Sequence, residues 1–324
     1  YRQEAEWKRL GLELSRTTMA NWIIIAAKEY FIPIVNKMHE MMVQESHIHC
    51  DETPVQVLNE PRKKSTSKSY MWVYSNIKES QRPIKIFEYK PDRKATNPQQ
   101  FLKGFNGTII TDGYYGYNHI KGITNAYCWA HARRKFYDAL PVDMKSTSGS
   151  LANIALEKIA KLFVIEKEIE TLTPEQKIKI RQERSKPLVD DFFLWRTDNQ
   201  NKVVSGSKTG KAIQYALNHE GGVRTLLEDS LIPMTNSLDE RPLRPFTVGR
   251  KNWLFSTSTK GAEASAAIYS LIETAKANKL DPYGYIEFIL DYLPQQDLIE
   301  HPEKIDWFLP WSEEIKEEFE IKVD

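Results

Sequence analysis

The stretch SHIHCDETPVQVL, residues 46–58, decides the fold, because the chain changes there from a helical pattern to a strand pattern. Its apolar and polar residues alternate, which is typical of a half-buried β-strand. Two adjacent carboxylates, Asp51 and Glu52, stand where a buried strand would carry valine or isoleucine. A buried carboxylate is costly unless a cation, a partner or water compensates its charge. The function therefore depends on what compensates Asp51.

Composition restricts the class of protein. The chain has 324 residues, of which 41% are hydrophobic and 27% are charged, and this indicates a globular protein with ample core. The longest apolar run, WIIIAA at residues 22–27, is too short to cross a membrane, and we expect it to form a buried helix turn. The net charge of +1 neither supports nor excludes nucleic-acid binding, so any DNA contact must come from local basic patches.

Cysteine usage and the first residues bear on the compartment. Only two cysteines occur, Cys50 and Cys128, and both lie in apolar surroundings, which favours a reducing cytoplasm over a disulfide framework. The polar first residues, YRQEAEWKRL, show no signal-peptide pattern. The first residue is Tyr1 rather than methionine, so we expect that a segment before it is missing.

Residues 1–45 are predicted to be helical. A short helix, a turn at Gly11 and a second helix capped by Ser15 resemble half of a helix-turn-helix. Two helices that simply pack on a core are the alternative, and the sequence leaves both open.

From residue 46 onward the pattern indicates an α/β protein. Three strands are predicted, at residues 46–58, 69–77 and 83–91, and the basic turn EPRKKSTSK joins the first two as a hairpin. Further elements follow: a helix at 97–105, a strand at 108–111, a strand and helix at 124–140, and a strongly helical stretch at 150–230. This order matches a ribonuclease H-like fold, with a mixed sheet flanked by helices and a helical insertion.

Two acidic residues occupy positions that such a sheet would bring together. Asp51 lies on the first predicted strand and Asp112 follows the fourth, and these strands are neighbours in a ribonuclease H-like sheet. Two carboxylates held close together raise each other's pKa unless a cation lies between them. Mg²⁺ suits this arrangement, because it binds one or two carboxylates and also contacts phosphate oxygens. The alternative is that each aspartate is only a turn or strand-end residue.

Four motifs resemble those of the DDE transposases of the IS66 insertion-sequence family. They are HCDETPVQVL, TDGYYGYN, CWAHARRKF and ERPLRPFTVGRKNWLFSTSTKGAEASAAIYSLIETAKANKLDPYGYI. The resemblance extends from about Tyr1 to Leu293. It implies a ribonuclease H-like catalytic domain with an acidic triad, interrupted by a helical insertion before the third acid. It also implies Mg²⁺ or Mn²⁺ as cofactor, double-stranded DNA of transposon ends and target as partner, a homo-oligomer on DNA, and accessory proteins of the same element.

The resemblance assigns the catalytic, metal-binding triad residue by residue. Asp51 matches the first acid, Asp112 the second and Glu240 the third. Glu52 points to the opposite strand face from Asp51, and we do not expect it to bind the metal.

The third acid has a rival. The segment around Glu240 departs from the family pattern at Thr235, Ser237 and Pro242. Glu263, near the start of the helix that begins GAEAS, is the alternative, although a glutamate there also interacts favourably with the helix dipole. Glu240 is preferred because it matches the family pattern.

The element CWAH, with Cys128 and His131, resembles a C-x-x-H element of transposases that carry such an insertion. Three roles stay open: a structural brace near the active site, ordinary core packing, or a zinc site. Zinc prefers cysteine and histidine ligands, and the first strand would have to supply the rest from His47, His49 or Cys50. A regularly spaced set of four ligands is absent.

Basic residues gather in two places, and the resemblance makes them candidates for DNA binding. They are Arg133, Arg134 and Lys135 in HARRKF, and Arg241, Arg244, Arg250 and Lys251 in ERPLRPFTVGRKNW. The interleaved Phe246 and Trp253 would either stack on bases or pack in the core. Contacts to phosphates would make the affinity fall with salt.

These predictions combine into one organisation. Its segments are a helical N-terminal segment at 1–45, the first part of the catalytic core at 46–142, the helical insertion at 143–230, the last part of the core with its closing helix at 231–294, and an acidic, peripheral tail at 295–324. The predicted function is metal-dependent DNA cleavage and strand transfer in a prokaryotic cytoplasm, at the nucleoid. The alternatives are a non-catalytic DNA-binding remnant and a ribonuclease H-like nuclease without strand transfer.

Overall fold

The structure, a computed structural model, describes residues 1–61, 63–118, 120–140, 149–204, 206–234 and 243–321. The chain divides into two compact units. The first unit is Tyr1–Asn106 together with Pro242–Asp324, and the second is Gly107–Arg241. The five segments predicted from sequence patterns follow other boundaries, and they stay a prediction.

A mixed sheet lies at the centre of the first unit. β1 (His47–Asn59), β2 (Lys68–Asn76) and β3 (Lys85–Lys90) are antiparallel neighbours. A short strand, β6 (Ser256–Ser258), runs parallel to β1. The three predicted strands and the predicted hairpin are therefore confirmed.

Helices pack on the sheet of the first unit and also occur throughout the second unit. Those of the first unit are α1 (Arg2–Arg9), α2 (Arg16–Ala26), α3 (Ile32–Met42), α4 (Thr96–Phe101), α11 (Leu243–Trp253), α12 (Thr259–Ala277), α13 (Pro282–Tyr292) and α14 (Glu313–Phe319). Those of the second unit are α5 (Trp129–Tyr137), α6 (Leu151–Glu168), α7 (Pro174–Ile180), α8 (Lys186–Asn199), α9 (Lys208–Asn218) and α10 (Glu220–Arg224). The helical stretch predicted at 150–230 is thus confirmed as helical.

The outer edge of β3 is covered by polar side chains of α12 rather than by another strand. Ser270 Oγ accepts a hydrogen bond from the Phe87 N–H at 2.8 Å, and Thr274 Oγ1 accepts one from the Lys85 N–H at 3.0 Å. The three pairs along the edge are Ser270 with Phe87, Thr274 with Lys85, and Asn278 with the carbonyl of Pro83. Because an open strand edge is a template for pairing with other chains, α12 both packs on the sheet and closes it.

Ser270→Ala should lower the free energy of unfolding by about 1–3 kcal/mol, because it leaves buried backbone groups of Phe87 without this partner. Ser265→Ala on the same helix is the matched control. The Ser265 hydroxyl bonds the Gly261 carbonyl one turn back, at 2.9 Å, so its loss should change stability by no more than about 0.5 kcal/mol. The measurements are chemical denaturation and hydrogen exchange at the Phe87 amide. Equal exchange in the two variants would contradict the covering role.

The N-terminal helices are present as predicted, but the apolar run in α2 is not buried. Ser15 caps α2 by accepting a hydrogen bond from the Thr18 N–H at 3.1 Å, and Gly11 takes a φ of +84° in the preceding turn. No side chain of α2 is buried, and Trp22 is 56% exposed. The expectation of a buried turn is therefore wrong, because apolar composition does not specify which surface a helix meets.

The described ranges contain two π-helical segments, each next to a proline. Ala27–Phe31 joins α2 to α3, whose second residue is Pro33, and Arg181–Ser185 joins α7 to α8, whose second residue is Pro187. Proline has no N–H and its ring clashes with the carbonyl four residues earlier. The wider π turn relieves this conflict, so each helix continues through its proline.

The C-terminal tail packs against other elements of the first unit, which corrects the expectation that it is peripheral. Phe308 and Ile315 are buried. The Tyr285 hydroxyl donates to the Phe308 carbonyl at 2.8 Å, and the Ile321 N–H donates to the Lys279 carbonyl at 2.8 Å. The tail is acidic overall, but its apolar side chains Phe308 and Ile315 are buried, and overall composition does not predict this.

The second unit combines a parallel strand pair with helices. β4 (Thr108–Thr111) pairs with β5 (Thr124–Tyr127), and β5 leads into α5, as predicted. Trp129, the first residue of α5, is buried with its ring 5.5 Å from that of Phe192. The ribonuclease H-like assignment depends on the strand order across both units, and it stays a prediction. In the described part of the chain, no helix is long and apolar enough to cross a membrane.

Candidate catalytic site

The adjacent carboxylates of β1 have different surroundings. The Glu52 side chain is only 2% exposed and forms an ion pair with Arg93, whose Nε donates to Oε1 at 2.6 Å. The charge of Glu52 is thus compensated by an arginine, and its exclusion from the metal site stays a prediction. Asp51 is half-buried, and its Oδ1 accepts a hydrogen bond from the Glu52 N–H at 2.8 Å.

The strand beyond Asp51 is held by an arginine of α11. Arg250 donates through Nη1 to Thr53 Oγ1 at 3.0 Å and to the Pro54 carbonyl. Arg250 was predicted from the sequence to bind DNA, and that role stays a prediction. In the structure its guanidinium is committed to β1, two to three residues after Asp51.

Asp112 lies in a tight turn directly after β4. Its Oδ1 accepts a hydrogen bond from the Tyr114 N–H at 2.9 Å, and Thr111 Oγ1 accepts one from the Gly113 N–H at 3.1 Å. Gly113 takes a φ of +87°, a conformation that favours glycine. No described residue donates a hydrogen bond to Asp112 Oδ2. The turn therefore fixes the carboxylate by one oxygen and leaves the other for a ligand.

Two residues of α9 and its C-cap contact this turn, and sequence reasoning did not find them. The Tyr215 hydroxyl donates to the Asp112 carbonyl, and His219 Nε2 lies 2.9 Å from the Gly113 carbonyl oxygen. They are four residues apart, so they lie on one helix face. That spacing is the only signal the sequence offers, since both contacts join residues more than 100 positions apart.

Cys128 connects the end of β4 with the chain that follows α10. Its N–H donates to the Thr111 carbonyl at 3.3 Å and its thiol contacts the Met234 carbonyl oxygen at 3.6 Å. Cys128 is buried, and His131 is half-buried on the first turn of α5. Of the roles left open for the C-x-x-H element, these contacts favour a structural brace.

The histidine and cysteine of β1 suggested as further zinc ligands lie in a buried strand. Burial, followed by the charge of His47, lowers the pKa of His49 to about 4. Burial, followed by Glu52 and Asp51, raises the pKa of the Cys50 thiol, and a protonated thiol is a poor zinc ligand. Among the residues that the structure describes, no group of three or more His, Cys, Asp or Glu side chains is placed to hold a metal ion.

The basic residues predicted to bind DNA lie in two helices. Those on α5 are exposed, and so are two of those on α11: Arg133, Arg134, Lys135, Arg244 and Lys251. Arg241 lies outside the described residues. Phe246 is fully buried with its ring 5.1 Å from that of Trp253, so the packing alternative holds for Phe246 rather than stacking on bases.

The two candidates for the third acid are Glu240 and Glu263. Glu240 lies outside the described residues. Glu263 is exposed in the second turn of α12, whose first turn is capped by Ser258. It lines an open cavity of about 370 Å³ together with Tyr89 and Ala266.

Sequence comparison identifies the family of the chain. The profile of the Transposase IS66 family matches residues 1–264, and that of the IS66 C-terminal element matches residues 270–311. These matches cover most of the chain and define its family. The chain belongs to the IS66 transposase family.

Three proteins of Sinorhizobium fredii are similar over 96% of this chain. They are the uncharacterized proteins y4hP, 30% identical, y4qI, 30% identical, and y4jD, 28% identical. The chain spans 58%, 59% and 62% of their respective lengths. No solved structure matches the chain.

Proposed function

We propose that the chain catalyses metal-dependent DNA cleavage and strand transfer during transposition. Membership of the IS66 transposase family supports a role in moving DNA. The observation that carries the proposal is the Asp112 turn, in which Oδ1 is held by the Tyr114 N–H while Oδ2 accepts no hydrogen bond from a described residue. A carboxylate fixed in this way is prepared to bind a cation.

The proposed donor set fits Mg²⁺ or Mn²⁺. Asp51, Asp112 and a third acid, Glu240 in preference to Glu263, would supply only oxygen ligands, which hard divalent cations prefer. When bound there, the cation would stabilise the charge that develops on the phosphate. The task of the chain is then to hold these carboxylates in place, which the turn at Asp112 and the backbone bond at Asp51 both support.

Double-stranded DNA, as element ends and as target, is the proposed substrate. The exposed basic side chains of α5 and α11 would neutralise its phosphates, so the affinity would fall with salt. Water would attack a phosphodiester at the element end in line and release a DNA 3′-hydroxyl. This hydroxyl would then attack a phosphodiester of the target in line and release a 3′-hydroxyl of the target strand, so that no covalent enzyme intermediate is required. A homo-oligomer would bring two ends together at the nucleoid, with accessory proteins of the same element as further partners.

A cleavage and joining assay tests the proposal. The protein is incubated with labelled DNA carrying the ends that flank its coding sequence, with Mg²⁺, Mn²⁺ or Ca²⁺, and with a supercoiled target. We expect nicked ends and joined products with Mg²⁺ and Mn²⁺ only.

Two other outcomes identify the alternatives. Salt-sensitive binding without cleavage in either metal would indicate a DNA-binding remnant, for which the departures at Thr235, Ser237 and Pro242 provide a reason. Cleavage without joining of pre-cleaved ends would indicate a ribonuclease H-like nuclease that lacks strand transfer.

A further inference from the structure

The helix α9 directs two side chains at the backbone of the Asp112 turn. Tyr215 donates its hydroxyl hydrogen to the Asp112 carbonyl, and His219 places Nε2 2.9 Å from the carbonyl oxygen of Gly113. Two consecutive peptide groups of the turn are therefore contacted from one helix face. The carboxylate of Asp112 takes no part in either contact.

The histidine ring is held on both sides. Its Nδ1 lies 2.6 Å from the Tyr215 carbonyl oxygen, while Nε2 faces Gly113. A ring nitrogen that carries a hydrogen can donate to either of these carbonyl oxygens. The ring also stacks on Tyr215, with centroids 4.2 Å apart, and meets the edge of Tyr127 at 4.7 Å. These contacts leave His219 little freedom to leave the turn.

The turn is shaped to admit this ring. A Cβ atom added at Gly113 would lie 2.3 Å from His219 Nε2, and the φ of +87° already disfavours any other residue there. The glycine thus serves both the backbone conformation and the approach of the imidazole. The close contact is a feature of the fold and not a chance approach of two surface groups.

The Tyr215 ring is contacted by two side chains. His219 stacks on it, with centroids 4.2 Å apart, and Lys135 of α5 lies over the same ring, with Nζ 5.5 Å from the centroid. These neighbours hold the hydroxyl towards the Asp112 carbonyl.

These contacts bear on the carboxylate through the backbone. The hydrogen bond from the Tyr114 N–H to Asp112 Oδ1 exists only while the two peptide groups between them keep their orientation. Those are the peptide groups whose carbonyls Tyr215 and His219 hold. We propose that Tyr215 and His219 are positioning residues that set the Asp112 carboxylate for cation binding, an inference that rests on the proposed function.

The test compares minimal variants for their affinity for Mn²⁺. Tyr215→Phe removes only the hydroxyl, His219→Phe removes both ring nitrogens, and His219→Gln restores a donor near the position of Nε2. Tyr137→Phe, at an exposed tyrosine of α5 in the same unit, is the matched control. Mn²⁺ binding is followed by electron paramagnetic resonance, and hydrogen exchange is followed at the amides of Gly113 and Tyr114.

We expect Tyr215→Phe and His219→Phe to weaken Mn²⁺ binding by about 10-fold or more, the usual effect of removing a partner that orients a metal ligand. Exchange at the two turn amides should rise while exchange in α6 and α8 stays unchanged. His219→Gln should bind closer to wild type than His219→Phe does, and Tyr137→Phe should match wild type. The concentration of Mn²⁺ that gives half-maximal DNA cleavage should shift in parallel.

Two results would overturn the inference. One is a wild-type affinity for Mn²⁺ in both Tyr215→Phe and His219→Phe. The other is weaker binding accompanied by faster exchange throughout the second unit, which would indicate a general structural role. Failure of the proposed function would look different. The wild-type protein would then cleave no DNA, and any Mn²⁺ that it bound would bind equally well to Asp112→Asn.

Discussion

Asp112→Asn should reduce metal-dependent DNA cleavage by on the order of 10²- to 10³-fold, the loss seen when a group that stabilises transition-state charge is removed. Asparagine keeps the size of the side chain and an oxygen that can accept the Tyr114 N–H, so the turn should survive. What is lost is the negative charge at the second oxygen. Cleavage rates at saturating Mg²⁺ and the thermal midpoint of unfolding are the two measurements.

Asp198→Asn is the matched control for this prediction. Asp198 is exposed on α8 in the same unit, and its replacement removes the same charge without touching the turn. It should retain wild-type cleavage. Cleavage by Asp112→Asn within a few-fold of that control would contradict the assignment of Asp112.

The adjacent acids of β1 offer a second comparison for the same prediction. Asp51→Asn should behave like Asp112→Asn, with activity lost and the fold retained. Glu52→Gln should instead lower stability and keep cleavage activity. It breaks the buried ion pair with Arg93, at a cost of about 1–3 kcal/mol, but leaves the proposed metal ligands in place. Loss of cleavage in fully folded Glu52→Gln would contradict this division of roles.

Arg181→Ala should have the largest effect on stability, about 3–5 kcal/mol, because it leaves a partly buried carboxylate without its counter-ion. The Arg181 side chain is 3% exposed and binds Glu166 through two hydrogen bonds, of 2.9 and 2.6 Å. It also donates to three carbonyls, those of Leu226, Asp229 and Ile232. One side chain thereby holds α6 to the segment that follows α10.

Arg184→Ala provides a matched control on the same π-helical segment. Arg184 pairs with Glu168 of the same partner helix at 2.7 Å, but both side chains are about half exposed, at 49% and 48%. Solvent screens such a pair, so its loss should change stability by no more than about 1 kcal/mol. Because both arginines lie in the second unit, the measurement that reports their local effect is hydrogen exchange in α6 and α8. Equal effects of the two variants would contradict the role given to Arg181.

Local pattern was sufficient to predict the strands and helices near the candidate acids. The alternation in β1 reflects the two-residue period of side chains along a strand, whereas β4 was predicted from a short apolar run that ends at Asp112. The same reasoning failed for α2 and for the C-terminal tail, because hydrophobicity does not state which surface an element meets. Tertiary packing decides which surface an element contacts, and the local sequence pattern does not carry this information.

The side-chain contacts around each acidic residue could not be predicted from the sequence. Arg93 lies 41 residues from Glu52, and Tyr215 lies 103 residues from Asp112. Each contact is made by one hydrogen-bonding group and leaves no periodic trace. The motifs indicated where the carboxylates are, whereas their compensation and support depend on residues that only the folded chain brings near.

The side-chain ladder between α12 and β3 imposes a limit on length. Four residues of helix advance about 6.0 Å, whereas two residues of strand advance about 6.7 Å. The distance between successive polar side chains of the helix is therefore about 0.7 Å shorter than the distance between their partners on the strand. The mismatch is tolerable over Ser270, Thr274 and Asn278, and the next position, Ala266, carries no polar group. The spacing of the polar groups along α12 thus matches the spacing of the backbone groups along β3 over a few steps only. A single inserted residue between Ser270 and Asn278 would turn the later groups away by about 100°, so α12 and β3 can change length only together.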